Sequence, residues 1–420
     1  MAPPPAVTGT AAGKVVLIGA LDTKGPEYAF VRARLAAAGI ASLVVDSGVL
    51  GSPSIPAEVD RATVARAGGA DLAALARAAD RNGAMAAMAR GAATVVRRLH
   101  DDGELAAVIV LGGSNAGFVM SLVAAALPIG PPKVLVSTIV AGDTRPYVGT
   151  SDLVMFYPVV DIAGLNSVSR PVLAKAADAV IGMLSGPTVP GSDPDTATIA
   201  CTMFGVTTTC VSAVQAALEA QGDEVHVFHA TGTGGQTLEA MVDAGFFAAV
   251  ADITTTELAD ELLGGVCSAG PHRLEAAARQ GIPQVVSVGA LDMCNFGARD
   301  TVPERFAGRL LLAHNPVVTL MRTSAEENLE LGRILAEKVN ASTAQVEVLV
   351  PTRGFSQISA PGGPFHNPTA DAAMVEALRR HLDPRIPLHL VDAAINDESF
   401  STEVIHALSR ALTITEGSPA

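Results

Sequence analysis

The residues able to do chemistry fall at the ends of short apolar runs. The segment Gly112-Gly113-Ser114-Asn115-Ala116-Gly117 follows the run AAVIVL at 106–111 and precedes an apolar helical stretch. Glycines let a backbone approach a ligand closely, and free amides at a helix start attract anions. A hydrogen bond to a charged group contributes ~1.5–3 kcal/mol, so three or four such donors can hold a phosphate without a lysine. A second segment, Leu21-Asp22-Thr23-Lys24-Gly25-Pro26-Glu27, follows the first apolar run. Asp22 or Thr23 can cap the next helix, Pro26 suits its first turn, and Lys24 can reach a phosphate. The segment is neither GxGxxG nor a GK[ST] loop, and it also reads as an ordinary capped strand-to-helix turn. Asp46 ends the second apolar run, where a doubly wound sheet places an acid for ribose hydroxyls; a surface carboxylate is the alternative. Arg66 and Arg81 flank helical stretches between the second and third runs and can cover phosphate charge or simply be solvated.

The second half repeats the theme. Thr231-Gly232-Thr233-Gly234-Gly235 follows the run EVHVFH and forms a second candidate anion cradle. His229, Glu257, Asp292, His314 and Arg322 stand at or beyond successive run ends. Converging on one rim, they can bind an oxyanion and move protons, or ligate a divalent metal. The same residues also read as caps and paired core groups. No GxSxG elbow follows any strand, so Ser114 is a turn residue and not a nucleophile.

The scaffold that positions these residues is an alternation of strands and helices. Runs at 14–20, 40–46, 106–111, 134–138 and 153–157 read as strands, with helices at 27–38, 82–100 and 167–184. Three Pro and two Gly at 185–195 read as a linker. Strands then restart at 198–202, 224–229, 248–252, 284–288, 310–313, 346–350 and 388–391. The pattern predicts a two-domain α/β chain with mainly parallel sheets. The expected boundaries are a disordered leader at 1–13, a nucleotide-binding domain at 14–185, a linker at 186–196, a second domain at 197–414 and a tail at 415–420.

Composition agrees. A length of 420 residues, 49% of them hydrophobic, suits two cores. With 4% aromatics and no Trp, aliphatic side chains must fill them, as in helix-covered parallel sheets. A formal charge of -14 argues against nucleic acid as a partner. No apolar run reaches the length of a membrane span. The four cysteines form no CxxC pair, which fits a reducing cytoplasm. A homodimer is expected on general grounds.

Ordered phrases along the chain carry a resemblance. They include LDTKGPE at 21–27, RPYVGTSDLVMFYPVVDIAGLN at 145–166, FHATGTGG at 228–235, TTTELADELLGG at 254–265, GALDMCNFG at 289–297 and GGPFHNP at 362–368. Together they resemble an uncharacterised bacterial and plant family typified by the ATP-binding region of the tomato mosaic virus resistance protein. The resemblance implies two Rossmann-like subdomains with a cleft between them, and ATP and a magnesium ion held by the first through the Asp22-Thr23-Lys24 turn, Arg81 and the Gly112-Gly113-Ser114 turn. Asn115 stands where related sequences often have Gly. The resemblance also implies a TIM-barrel partner, here a separate polypeptide. Three functions stand as expectations: an ATP-dependent enzyme acting on a small anionic metabolite, an ATP-dependent regulatory or scaffolding subunit, and a metal-dependent hydrolase using His229, Asp292 and His314.

Overall fold

The computed structural model describes residues 13–78, 80–186 and 196–416. The expected leader up to residue 12, the linker at 187–195 and the tail from 417 lie outside the described residues. The chain divides into two units near residue 191.

The first unit runs β1 (Lys14–Gly19), α1 (Leu21–Ala37), β2 (Ser42–Asp46), α2 (Arg61–Ala67), α3 (Leu72–Ala78), α4 (Arg81–Asp101), β3 (Leu105–Gly112), α5 (Ser114–Ala125), β4 (Lys133–Ser137), α6 (Arg145–Val148), β5 (Leu153–Phe156) and α7 (Ser169–Ser185). Its five strands are all parallel, in the order β2-β1-β3-β4-β5. Side chains alternate across the sheet, as a strand's twofold period requires. Val15, Leu17, Ile109 and Val136 pack beneath α1 and α7, while Val16, Ile18, Val108 and Val110 pack beneath α2, α4 and α5. Both faces are covered, which explains why these strands read as continuous apolar runs. Helix α1 starts six residues earlier than the expected 27, because Leu21-Asp22-Thr23-Lys24 is already its first turn. Its N-cap is Ala20 with no side-chain bond, so neither Asp22 nor Thr23 caps it.

The second unit runs β6 (Thr198–Met203), α8 (Thr208–Ala220), β7 (Glu224–His229), α9 (Thr233–Asp243), β8 (Ala249–Thr254), α10 (Glu257–Leu263), α11 (Ala276–Gln280), β9 (Gln284–Gly289), β10 (Met293–Phe296), β11 (Leu311–Asn315), β12 (Val318–Arg322), α12 (Ala325–Asn340), β13 (Val346–Pro351), α13 (Pro368–His381), β14 (Leu388–Val391) and α14 (Glu398–Glu416). Six parallel strands take the order β14-β13-β9-β8-β6-β7. In both units the first strand lies between the second and the third, so the two sheets share one winding. An antiparallel sheet, β10-β12-β11, is inserted between β9 and β13. Sequence reading expected only the 310–313 strand there and missed β10 and β12, which are short and carry no turn signal beyond Asn315-Pro316. Among the described residues, no helix is long and apolar enough to cross a membrane.

Candidate functional site

In a sheet of this winding, the strand order reverses between β1 and β3, and ligands bind outside the carboxyl ends there. A cavity of about 660 Å³ opens at that point. Asp22, Thr23 and Lys24 of α1 line one side, the Gly112–Ala116 turn another, and Arg81 and Asp80 the start of α4. Leu75, Met85, Met88 and Val119 supply an apolar wall. The Tyr28 hydroxyl, pushed upward in pKa by burial, ties the two strand ends together. It accepts the Leu111 amide at 2.8 Å and donates to the Ile18 carbonyl. A Cβ on Gly19 would stand 2.2 Å from the Tyr28 ring, so only glycine fits there.

The Gly112–Ser114 turn is fixed through one carbonyl. Gly113 O accepts Ala116 N at 3.0 Å, Gly117 N at 3.4 Å and Ser137 Oγ at 3.0 Å. Gly112 has φ +150°, which a side chain would oppose. Gly113 caps α5 without any side-chain bond, and the amides of Ser114 and Asn115 meet no acceptor among the described residues. A Cβ at Gly113 would meet no atom within 4 Å, so the turn faces open space. Lys24 Nζ donates to the Ile162 carbonyl, and Asp22 Oδ1 is buried without a partner.

Two expected ligand residues are used otherwise. Asp46 is buried and accepts Arg61 Nε at 2.8 Å, Gly48 N at 2.9 Å and Leu21 N at 3.3 Å. Its oxygens hold the α1 start against the β2–α2 loop and do not reach the cavity wall, so the ribose role falls. Arg66 is exposed, bonds Thr63 within its own helix and does not line the cavity.

The rim expected in the second unit does not assemble. Glu257 is fully buried, and its Oε1 accepts Gly232 N at 2.7 Å and Gly235 N at 3.0 Å. The second anion cradle, Thr231 to Gly235 with Thr233 and Gly234, is therefore filled by the chain's own carboxylate. Glu257 Oε2 accepts Arg273 Nε at 2.6 Å, and Arg273 also grips Asp252 at 2.5 and 2.6 Å. Burial pushes the Glu257 carboxyl up, and Arg273 pulls it back. Burial raises Asp260 to about 7, although it accepts Cys267 N at 3.0 Å and both nitrogens of Asn295. Asp292, raised to about 6 by burial, accepts Ser356 Oγ at 2.8 Å. Arg322 is locked onto Asp371 at 2.5 Å and the Phe365 carbonyl at 2.8 Å. His229 is exposed and stacks on Phe204 at 5.6 Å, while His314 lies exposed inside β11, not at the end of a parallel strand. Among the described residues, no three His, Cys, Asp or Glu are placed to hold a metal ion, so His229, Asp292 and His314 do not form the hydrolase centre.

The N-terminal domain profile of the uncharacterised protein family UPF0261 matches residues 13–188, and its C-terminal domain profile matches residues 196–412. The chain belongs to the UPF0261 family. A UPF0261 protein of Clostridium tetani is 44% identical over 391 residues, covering 92% of this chain and 96% of that one. A UPF0261 protein of Mesorhizobium japonicum is 43% identical, covering 93% and 97% respectively. The ToMV resistance protein Tm-1(GCR237) of Solanum lycopersicum is 42% identical over 328 residues, or 77% of this chain and 44% of the tomato protein.

Three residues that sequence reasoning passed over prove central to this UPF0261 chain: Arg61, Arg273 and Tyr28. Arg61 and Arg273 sit beside no glycine-rich turn, and each reaches its carboxylate through the fold. The usable signal was their number: a chain with 28 Lys and Arg against 42 Asp and Glu has few cations for its buried acids.

Proposed function

We propose that the first unit binds ATP together with magnesium in the β1/β3 crevice. The carrying observation is the pairing of unengaged Ser114 and Asn115 amides with an adjoining apolar wall, one suited to phosphates and the other to a base. Lys24 and Arg81 add positive charge on the same cavity. The residues present also fit a cation: Asp22 Oδ1 is a buried oxygen with no partner, and Mg²⁺ is held by one or two carboxylates plus substrate phosphates. Magnesium would neutralise phosphate charge there, with Asp22 as its protein ligand.

A regulatory or scaffolding role is the reading we favour over catalysis on an anionic metabolite. Glu257, Asp292 and Arg322 are engaged in buried networks, so among its described residues the second unit brings these candidates into no acid–base set. A separate TIM-barrel protein is the partner class to try first, and a cytoplasmic homodimer is the form expected. The test is calorimetry with Mg·ATP alongside a phosphate-release assay. Saturable binding without turnover supports the proposal. Absence of binding ends it, and turnover stimulated by a small carboxylate would restore the enzyme reading.

A further inference from the structure

The chain between β5 and α7 is strapped against α1 by bonds from α1 itself. Lys24 donates to the Ile162 carbonyl, and Glu27 accepts the Gly164 amide at 2.6 Å. Glu27 is buried, and its Oε2 has no partner. Within the strap, Val160 N donates to Pro158 O at 2.8 Å across Val159, which has φ +69°. A three-residue turn centred on a β-branched residue at positive φ is rare and strained. Val159 is 60% exposed, so packing does not hold it there. Strain of this kind persists only where other contacts over-determine it, and it clusters at ligand clamps and switch regions. The over-determining contacts here are Lys24 and Glu27, together with the buried Ile162 side chain in the core and Ser169 Oγ, which donates to the Gly164 carbonyl at 3.1 Å.

The strap reaches the cavity as well, because Lys24 and Asp161 both line it. The Lys24 ammonium is thus shared between a neutral carbonyl and whatever enters the crevice. Ionised phosphate oxygens form shorter and stronger bonds to an ammonium than a neutral carbonyl does. Asp161, whose carboxylate accepts the Ile162 amide at 2.8 Å, repels the same polyanion. Loss of the Lys24 clasp, repulsion at Asp161 and the stored strain at Val159 all act in one direction.

We propose that the 158–164 strap is a latch that a polyphosphate ligand releases by drawing Lys24 off the Ile162 carbonyl. The inference rests on the nucleotide reading of the cavity. It makes ligand affinity and strap release reciprocal: whatever stabilises the latched strap weakens binding by the same factor.

Hydrogen exchange on the full chain tests it, since the amides of Val160, Ile162, Ala163 and Gly164 are all bonded in the latched form. With ATP binding measured by calorimetry on the same sample, Mg·ATP should speed exchange across 160–164 about tenfold, the factor for one charge-assisted bond. Val159→Gly removes the strain, stabilises the latched form and should weaken ATP binding about fivefold or more. Binding with unchanged or slowed strap exchange overturns the latch. Lys24→Met separates this outcome from failure of the nucleotide reading. Without any ligand it should speed exchange across 160–164 about tenfold while leaving the β3 amides protected. If it does not, the clasp is refuted whether or not the wild type binds ATP.

Discussion

Substitution of Gly113 by Val tests the crevice with the least collateral change. Gly113 has φ -81° and ψ -151°, an extended conformation that a β-branched residue accepts. No atom lies within 4 Å of its added Cβ, so the fold has room for the side chain. Gly112 would be a worse choice, because its φ of +150° would strain any side chain. The two Val methyls stand where phosphate oxygens would approach the Ser114 and Asn115 amides. Losing two charge-assisted bonds at ~1.5–3 kcal/mol each removes about 3 kcal/mol or more. That corresponds to a roughly hundredfold rise in Kd. Calorimetry with Mg·ATP measures the Kd, and thermal unfolding without ligand checks the fold. We expect an unchanged melting temperature without ligand and loss of the ATP-induced rise. A Kd within about threefold of wild type would show that these amides do not carry the affinity. A large drop in unliganded stability would refute the claim that the turn faces open space.

The second unit supplies two further predictions. Arg273→Met leaves Asp252 and Glu257 facing each other with no counter-charge, which should cost about 3–5 kcal/mol; for a unit of this size, calorimetry should show its transition lowered by roughly 6–20 °C. Burial pushes the Glu257 carboxyl up and protonation neutralises it, so the loss should be smaller at pH 5 than at pH 8, and a pH-independent loss would argue against an unpaired carboxylate. Asp260, whose carboxyl is raised to about 7, holds a proton in the folded state that the unfolded chain has already released. Its contribution is complete below the ordinary carboxylate range and is lost as pH rises to about 7, at up to about 1.4 kcal/mol per pH unit. Urea midpoints should therefore shift in favour of Asp260→Asn between pH 5 and 7 and hold steady above; a flat difference would contradict the raised carboxyl.

Most of the fold was legible because its strands are covered on both faces. Runs such as KVVLIGA and AAVIVL admit no other reading once helical stretches separate them. The features that escaped were local. The β10–β12 insertion consists of strands of four and five residues, too short for a periodic signal. The start of α1 was misplaced because its cap comes from Asp46, which is remote in sequence. In the first unit the candidates Asp22, Thr23, Lys24, Arg81, Gly112, Gly113, Ser114 and Asn115 all line one cavity. Those were identifiable because backbone amides after a strand need only glycines and a helix, both local properties. Asp46, Glu257 and Asp292 proved to be engaged elsewhere, since whether a carboxylate is free depends on partners that only the fold brings near.

Asp46 and Glu257 make that point together. Each stands at or just beyond a strand end, each accepts two backbone amides, and each is countered by an arginine, Arg61 or Arg273. Both behave as resident anions at positions where a ligand's anion could otherwise bind. A glycine-rich turn is thus open to a phosphate only if no carboxylate of the chain itself reaches it. The two units share one winding, yet the turn at Gly232–Gly235 is filled and the turn at Gly112–Ser114 is not. The two turns follow different strands, the central β3 and the edge strand β7, and they differ in the side chains that reach them. Ser137, beside the Gly112–Ser114 turn, is a hydroxyl that donates to a carbonyl and leaves the amides alone. Glu257, beside the other, is a carboxylate long enough to take them. Whether a glycine-rich turn in this chain stays open is therefore decided less by the glycines than by the length and charge of one side chain that reaches it.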